Sequence, residues 1–252
     1  MRVLVVGGYG LIGAGVLARL AADGHALAAA GRDVRQARRR FPAVDWFRID
    51  LASAGPEDWT PALAGVDAVV NCAGALQEGP GDRLAKVHAE GLKTLAAACR
   101  AAGVRRLVHI SAAGVAASPG PFGATKREGE AALAATDLDW IVLRPGLVLA
   151  PQAFGGSALL RALAAFPFAI PVLHADAVVQ VVAGRDVAAA VAAAIGPEAP
   201  SRLAIDLVAA EPTTLAEILK ALRGWLGLAP APLLRVPAAL ARAAALVADA
   251  LA

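Results

Sequence analysis

Near its start the chain runs from four apolar residues, Val3-Leu4-Val5-Val6, straight into Gly7-Gly8-Tyr9-Gly10-Leu11-Ile12-Gly13. The β-branched run predicts a buried strand. Apolar residues at helical spacing behind the glycines (Leu11, Ile12, Val16, Leu17, Leu20) predict a helix that Asp23-Gly24 stops. Three glycines at G-x-x-G-x-x-G spacing between a strand and a helix meet a particular need. Glycine lets the backbone turn tightly and approach a pyrophosphate with no Cβ in the way. The helix then presents N–H groups and the positive end of its dipole to the phosphates. Dinucleotide binding through Gly7, Tyr9, Gly10, Leu11, Ile12 and Gly13 is therefore expected, with a purely structural glycine turn as the alternative.

From there, short β-branched runs alternate with alanine/leucine helices, the pattern of a parallel sheet covered by helices on both faces. Strands are expected near Ala26–Ala30, Asp45–Ile49, Ala68–Val70, Arg106–Ile110 and Trp140–Leu143, with helices near Arg83–Ala102 and Thr125–Ala135. The alternation loosens over Leu147–Pro171. It returns with Val178–Val182, a helix opening at Asp186, a strand at Leu203–Val208 and a helical region from Thr213. The expectation is one α/β domain over residues 1–252. Its doubly wound parallel Rossmann sheet and dinucleotide-binding core would take residues 1–146 and 177–210. A small irregular substrate-side lobe and C-terminal helices would take 147–176 and 211–252. In the lobe, Phe154, Leu159, Leu160, Leu163, Phe166 and Phe168 could line an apolar cleft or fill a small core.

Composition narrows the function classes. With 58% hydrophobic and 18% charged residues, the chain is not intrinsically disordered. Two cysteines, Cys72 and Cys99, exclude a disulfide framework and suit a reducing compartment. The histidines His25, His88, His109 and His174 are scattered without ligand spacing, so no metal site is expected. The basic run Arg35, Arg38, Arg39 and Arg40 lacks interleaved aromatics and reads as a solvated helix face, not a nucleic-acid surface. No apolar stretch reaches the ~20 residues of a membrane span. The nearest, Val236–Ala252, is broken by Arg242 and Asp249. A soluble, cytoplasmic protein is expected. Leu233–Ala252 reads as an amphipathic helix without a closing cap, so membrane association is expected only if the native chain continues past 252.

The end of the second strand bears on which dinucleotide binds. An acidic residue ~20 positions beyond the glycines accepts the ribose hydroxyls of NAD, whereas arginine suits a 2′-phosphate. That place falls on Arg32 within Gly31-Arg32-Asp33, which favours NADP; a shift of one residue to Asp33 would favour NAD. Arg35 could assist, or be a solvated helix residue. Asp50, at the end of the third strand, either accepts from the adenine amine or is an ordinary strand-end aspartate.

Taken in order, Gly7–Gly13, Asp50-Leu51, Asn71-Cys72-Ala73-Gly74, His109-Ile110-Ser111-Ala112, Lys126, Arg144-Pro145-Gly146 and Asp186-Val187-Ala188 form a set over about residues 1–210. This set resembles extended and atypical short-chain dehydrogenases/reductases of the NAD-dependent epimerase/dehydratase superfamily. It looks most like the atypical branch that holds NmrA-like regulators and the NDUFA-type accessory subunit of respiratory complex I. The resemblance implies cofactor contacts from Asp50, Leu51, Cys72, Ala73, Gly74, Ser111, Lys126, Pro145 and Gly146. It also implies, by analogy, a homodimer through helices 83–102 and 125–135.

In catalytic members of that family a Tyr-x-x-x-Lys pair works with a serine. The tyrosine moves the proton, and the lysine holds the ribose and lowers the tyrosine pKa. Lys126 and Ser111 match, but Phe122 stands in the tyrosine place, and the only tyrosine of the chain is Tyr9. His88 stands where the family often has asparagine. Cofactor binding is therefore expected to survive and the usual proton relay is not. Ser111, Lys126 and His174 are the candidate catalytic residues. Two readings follow. One is an oxidoreductase acting on an unknown small carbonyl or quinone-like molecule; the other is a non-catalytic nucleotide-binding module, either a redox sensor or an accessory subunit.

Overall fold

The structure is a computed structural model that describes residues 1–77, 79 and 83–237. Met1–Ala150 and Val182–Val208 form one compact unit. Its seven-stranded sheet contains β1 (Arg2–Val6), β2 (Ala26–Gly31), β3 (Asp45–Arg48), β4 (Ala68–Asn71), β5 (Arg106–Ile110), β6 (Asp139–Pro145) and the strand Leu203–Leu207. The spatial order is β3-β2-β1-β4-β5-β6 followed by Leu203–Leu207, and every pair is parallel. This is the doubly wound order, whose direction reverses between β1 and β4. In such sheets ligands bind outside the carboxyl ends of the strands at that reversal. Register brings those ends level: Val6 stands opposite both Ala30 and Asn71.

The period-2 alternation of a strand sends successive side chains to opposite faces. Val3 and Val5 join Val16, Leu17, Leu20, Val187 and Val191 in one core. Leu4 and Val6 join Trp59, Leu92, Leu95 and Leu107 in the other. Each fully buried aliphatic side chain contributes about 1.5–3 kcal/mol relative to exposure. These two layers hold the strand ends still. Helix α1 (Leu11–Ala22) and the helix Gly184–Ala194 cover the first face.

Several boundaries differ from the sequence reading for local reasons. The helix expected from Thr125 begins at Pro121, a residue suited to the first helical position because it has no N–H to satisfy. The helix expected over Arg83–Ala102 contains a π-helical turn, Lys86–Glu90, ahead of Gly91–Ala101. The helix expected from Asp186 begins at Gly184.

Pro151–Val181 and Ala209–Ala252 form the second compact unit. It holds the helices Gly156–Ala164 and Leu215–Trp225, and a small core that includes Ala164, Ile170, Val172 and Leu219. Leu160 and Leu163 pack onto that core, as the core-filling reading expects, whereas Phe154, Leu159, Phe166 and Phe168 are exposed. Buried Arg223 is held by the carbonyls of Ala164 at 2.9 Å and Phe166 at 2.7 Å. The amphipathic helix expected over Leu233–Ala252 opens instead as a strand, Leu233–Arg235, paired with Ile170–Val172; residues 238–252 lie outside the described residues. Among the described residues no helix is long and apolar enough to cross a membrane.

Candidate functional site

The glycine loop lies between β1 and α1, at the carboxyl end of the sheet. Gly7 has φ +73, and a Cβ there would stand 2.8 Å from the Ala73 nitrogen. A Cβ on Gly13 would stand 2.2 Å from the Gly7 carbonyl oxygen, which also accepts the Gly10 N–H at 3.0 Å. Only chain without side chains fits both places. Helix α1 then opens with neither a side-chain cap nor an acidic residue in its first turn. Its leading amides are thereby left to an anion. Gly7, Gly10, Leu11, Ile12 and Gly13 thus form a close-packed turn that leads into the uncapped start of α1.

The end of β2 flanks this turn. The Tyr9 ring lies over Gly31, and its hydroxyl oxygen accepts the Asp33 N–H at 3.4 Å. One oxygen of the Asp33 carboxylate accepts the Arg35 N–H at 3.1 Å, and Arg32, next to it in sequence, is exposed. At the end of β3, Asp50 accepts the Ala52 N–H at 3.1 Å, a local turn that engages one of its two oxygens. Leu51 is buried beside it.

Beyond β4 and β5 the polar groups are buried. Asn71 accepts the Ala73 N–H at 3.1 Å through its carbonyl oxygen, so its amide must donate to His109 Nδ1 at 3.3 Å. This bond shapes the Cys72-Ala73-Gly74 turn and fixes the proton of neutral His109 on Nε2. Burial, followed by the charge of Lys126, holds the His109 pKa well below its ordinary value. Ser111, 5% exposed, has a hydroxyl with no hydrogen-bond partner among the described residues. Lys126, 4% exposed, donates from Nζ to the Ile110 carbonyl at 3.2 Å. Burial lowers its pKa to about 8, with Glu130 and Cys72 pulling the other way. The Cys72 thiol is pushed up to about 12 by burial, so it stays protonated.

His88 was noted in sequence only as a departure from the family; the structure gives it a job. Its Nε2 accepts the Ala75 N–H at 3.2 Å, which leaves the ring proton on Nδ1, 3.0 Å from Thr125 Oγ1. Thr125 in turn donates to the Pro121 carbonyl at 2.9 Å. Burial and the Lys126 charge lower the His88 pKa to about 3. Both ring nitrogens are committed, so His88 is a strut and not an acid. Phe122 meets it edge-on, with ring centroids 5.4 Å apart. At the end of β6, the Pro145 carbonyl accepts the Ala113 N–H at 2.8 Å, and the Gly146 N–H donates to the Leu207 carbonyl at 3.0 Å.

The first unit therefore gathers the glycine turn, the β2 and β3 ends, Cys72–Gly74, Ser111, Lys126 and Pro145-Gly146. His174 belongs to the second unit, exposed on a turn with φ +53. Among the described residues no group of three His, Cys, Asp or Glu is placed to hold a metal ion. Sequence reasoning missed the Tyr9–Gly31 contact, the His88–Thr125 chain and the position of Glu130 beside Lys126. A terminal glycine after the alanine run of β2 was the one available signal.

A family model described as NAD(P)H-binding matches residues 7–195. The chain is 34% identical over 174 residues to a 2-alkyl-3-oxoalkanoate reductase of Stenotrophomonas maltophilia, covering 60% of this chain and 52% of that protein. It is 33% identical over 198 residues to a 3-diazoavenalumate denitrifying reductase of a Streptomyces species, covering 65% and 62%. The chain thus spans between half and two thirds of the length of these relatives. Among solved structures, the Bordetella bronchiseptica enzyme WbmG in complex with NAD superposes with a TM-score of 0.76 at 21% identity, covering 94% of this chain and 82% of that one. At that identity the likeness shows the fold alone.

Proposed function

We propose that this chain, which belongs to the NAD(P)H-binding family, is an oxidoreductase that uses NADP(H) on a small carbonyl or quinone-like molecule without a tyrosine acid. One observation carries the reading: the unpartnered buried Ser111 hydroxyl lies next in sequence to Ile110, whose carbonyl holds the buried Lys126 cation. A buried donor left unmade costs about 1–3 kcal/mol. A substrate oxygen would satisfy it.

A nicotinamide dinucleotide, when bound, supplies or accepts the hydride. The chain's own residues do the rest. Gly7, Gly10, Leu11, Ile12 and Gly13 would hold the pyrophosphate, and Asp50 the adenine amine through its second oxygen. Lys126, with one of its three N–H groups spent on Ile110, has two left for ribose hydroxyls. Cys72–Gly74, Leu51 and Pro145-Gly146 would close the walls. Ser111 would orient the reacting oxygen. Arg32 at the end of β2, at the place where an arginine suits a 2′-phosphate, supports NADP over NAD. Two free thiols, Cys72 and Cys99, support a reducing, cytoplasmic setting. Homodimer formation through helices 83–102 and 125–135 rests on the family resemblance.

The test mixes purified protein with NADPH or NADH and a panel of aldehydes, ketones and quinones, following loss of coenzyme absorbance. Slow oxidation of NADPH is expected, abolished by Ser111→Ala, and a loss in His174→Ala would bring His174 into the reaction as well. Phe122→Tyr is expected to raise the rate, since a general acid contributes ~10²–10⁴-fold. Tight binding with no turnover in either wild type or Phe122→Tyr would make the chain a nucleotide-binding module.

A further inference from the structure

We propose that Tyr9 reads the 2′ position of the adenosine ribose, its phenol donating a hydrogen bond to a 2′-phosphate. The inference rests on the NAD(P)H-binding reading and names a selecting group within it. It begins with Gly31. The backbone there needs no positive φ, so conformational freedom does not explain the glycine. Space does. A Cβ on Gly31 would stand 2.4 Å from Tyr9 Cε1 and 3.2 Å from Cδ1 and Cζ. The Tyr9 ring occupies the volume where the last side chain of β2 would be. Trp46 stands near it, ring centroids 6.3 Å apart with planes inclined by 31°.

In a doubly wound sheet the end of the second strand is where the adenosine ribose is read. The phenol oxygen reaches that place, since it accepts the Asp33 N–H, at a long 3.4 Å. Its own proton has no acceptor among the described residues, and a phenol both donates and accepts. One oxygen of the exposed Asp33 carboxylate accepts the Arg35 N–H at 3.1 Å. A neutral donor therefore stands at the end of β2 to meet an incoming 2′ group. An O–H donated to a phosphate oxygen is charge-assisted and about twice as strong as one donated to a neutral hydroxyl. Tyr9 thus favours the phosphorylated coenzyme by the difference between these two bonds.

Tyr9→Phe keeps the ring on Gly31 and removes only the oxygen, so the fold is retained. Titration calorimetry would measure NADPH and NADH on the wild type and on Tyr9→Phe, with 2′-phospho-ADP-ribose and ADP-ribose as probes of the adenosine half alone. The expected result is a roughly 10- to 100-fold loss for the two phosphorylated ligands, with the unphosphorylated pair changed by less than about threefold. Gly31→Ala, which pushes the ring aside, should lower the same ratio. A ratio unmoved by Tyr9→Phe, or equal wild-type affinity for the two coenzymes, overturns the role of Tyr9 while leaving dinucleotide binding intact. Failure of well-folded wild type to take up either coenzyme overturns both readings.

Discussion

Replacing Lys126 with methionine should stabilise the protein at neutral pH and abolish the advantage in alkali. Nζ is buried, with one protein hydrogen bond, to the Ile110 carbonyl. Burial takes its pKa from an ordinary 10.5 to about 8. Each unit corresponds to about 1.4 kcal/mol between the protonation states. Below pH 8 both folded and unfolded chains carry the proton, and the folded chain bears the full cost of the buried cation, about 3 kcal/mol. Between pH 8 and 10.5 the unfolded chain holds a proton that the folded one has released, so stability rises with pH across that window. Methionine carries no such term. Its loss of the bond to Ile110 takes back about 1 kcal/mol, leaving Lys126→Met more stable by about 2 kcal/mol at pH 7. Urea denaturation of both proteins at pH 7, 9 and 10 isolates the residue, because every shared titration cancels in the difference. A difference that stays constant with pH, or a variant several kcal/mol less stable at pH 7, would refute the reasoning.

Gly13→Ala drives a Cβ to 2.2 Å from the Gly7 carbonyl, backbone against backbone. A loss of about 1–3 kcal/mol and of nucleotide binding is expected; a thermal scan that still shifts upward with NADPH contradicts it. His88 should remain neutral with its proton on Nδ1 from pH 5 to 8, read by ¹⁵N chemical shifts, since its pKa lies near 3. An inflection near the ordinary 6.5 would sink the hydrogen-bond assignment. The same depressed pKa makes folded His88 bind fewer protons than unfolded His88 between pH 6.5 and about 3, so its contribution to stability is lost as pH falls through that range. Acid denaturation should therefore begin at higher pH in the wild type than in His88→Asn. Ligand oxygens on the two remaining N–H groups of Lys126 should raise its pKa, so coenzyme binding near pH 8.5 takes up protons. Calorimetry in buffers of different ionisation enthalpy measures that uptake, and its absence would remove Lys126 from the binding site.

The parts of this site legible in the sequence are those encoded by neighbours along the chain. Gly7, Gly10 and Gly13 announce a cradle because strand, turn and helix follow within a few residues, and Lys126 stands out because Phe122 lies four positions before it. The Tyr9 ring was not legible, because it lands on Gly31, a contact made only once β1 and β2 are side by side. Arg144 pairs with Glu130, 14 positions away, through Nε at 3.0 Å, and no periodicity signals that. The π-helical turn escaped for another reason: Gly129 admits the His88 carbonyl to within 2.0 Å of where its Cβ would be, a helix-on-helix approach that propensity along one helix does not reveal. The helix Gly156–Ala164 was hidden by Gly155, whose φ of +52 reads in sequence as loop.

The site's costs and its missing group point in one direction. Ser111 buries an unmade hydrogen bond and Lys126 buries a cation, and each makes the empty fold less stable. A protein whose only task were to fold would gain from replacing either with an apolar residue of similar size. On the proposed reading those two costs are offset by oxygen atoms arriving from outside the chain. The absent phenol at Phe122 is different in kind. It would supply a proton, from a ring that meets the neutral His88 edge-on. On that reading the site serves first to hold a polar ligand against Ser111 and Lys126. A power to move protons is, on the same reading, what a single oxygen atom at Phe122 would add.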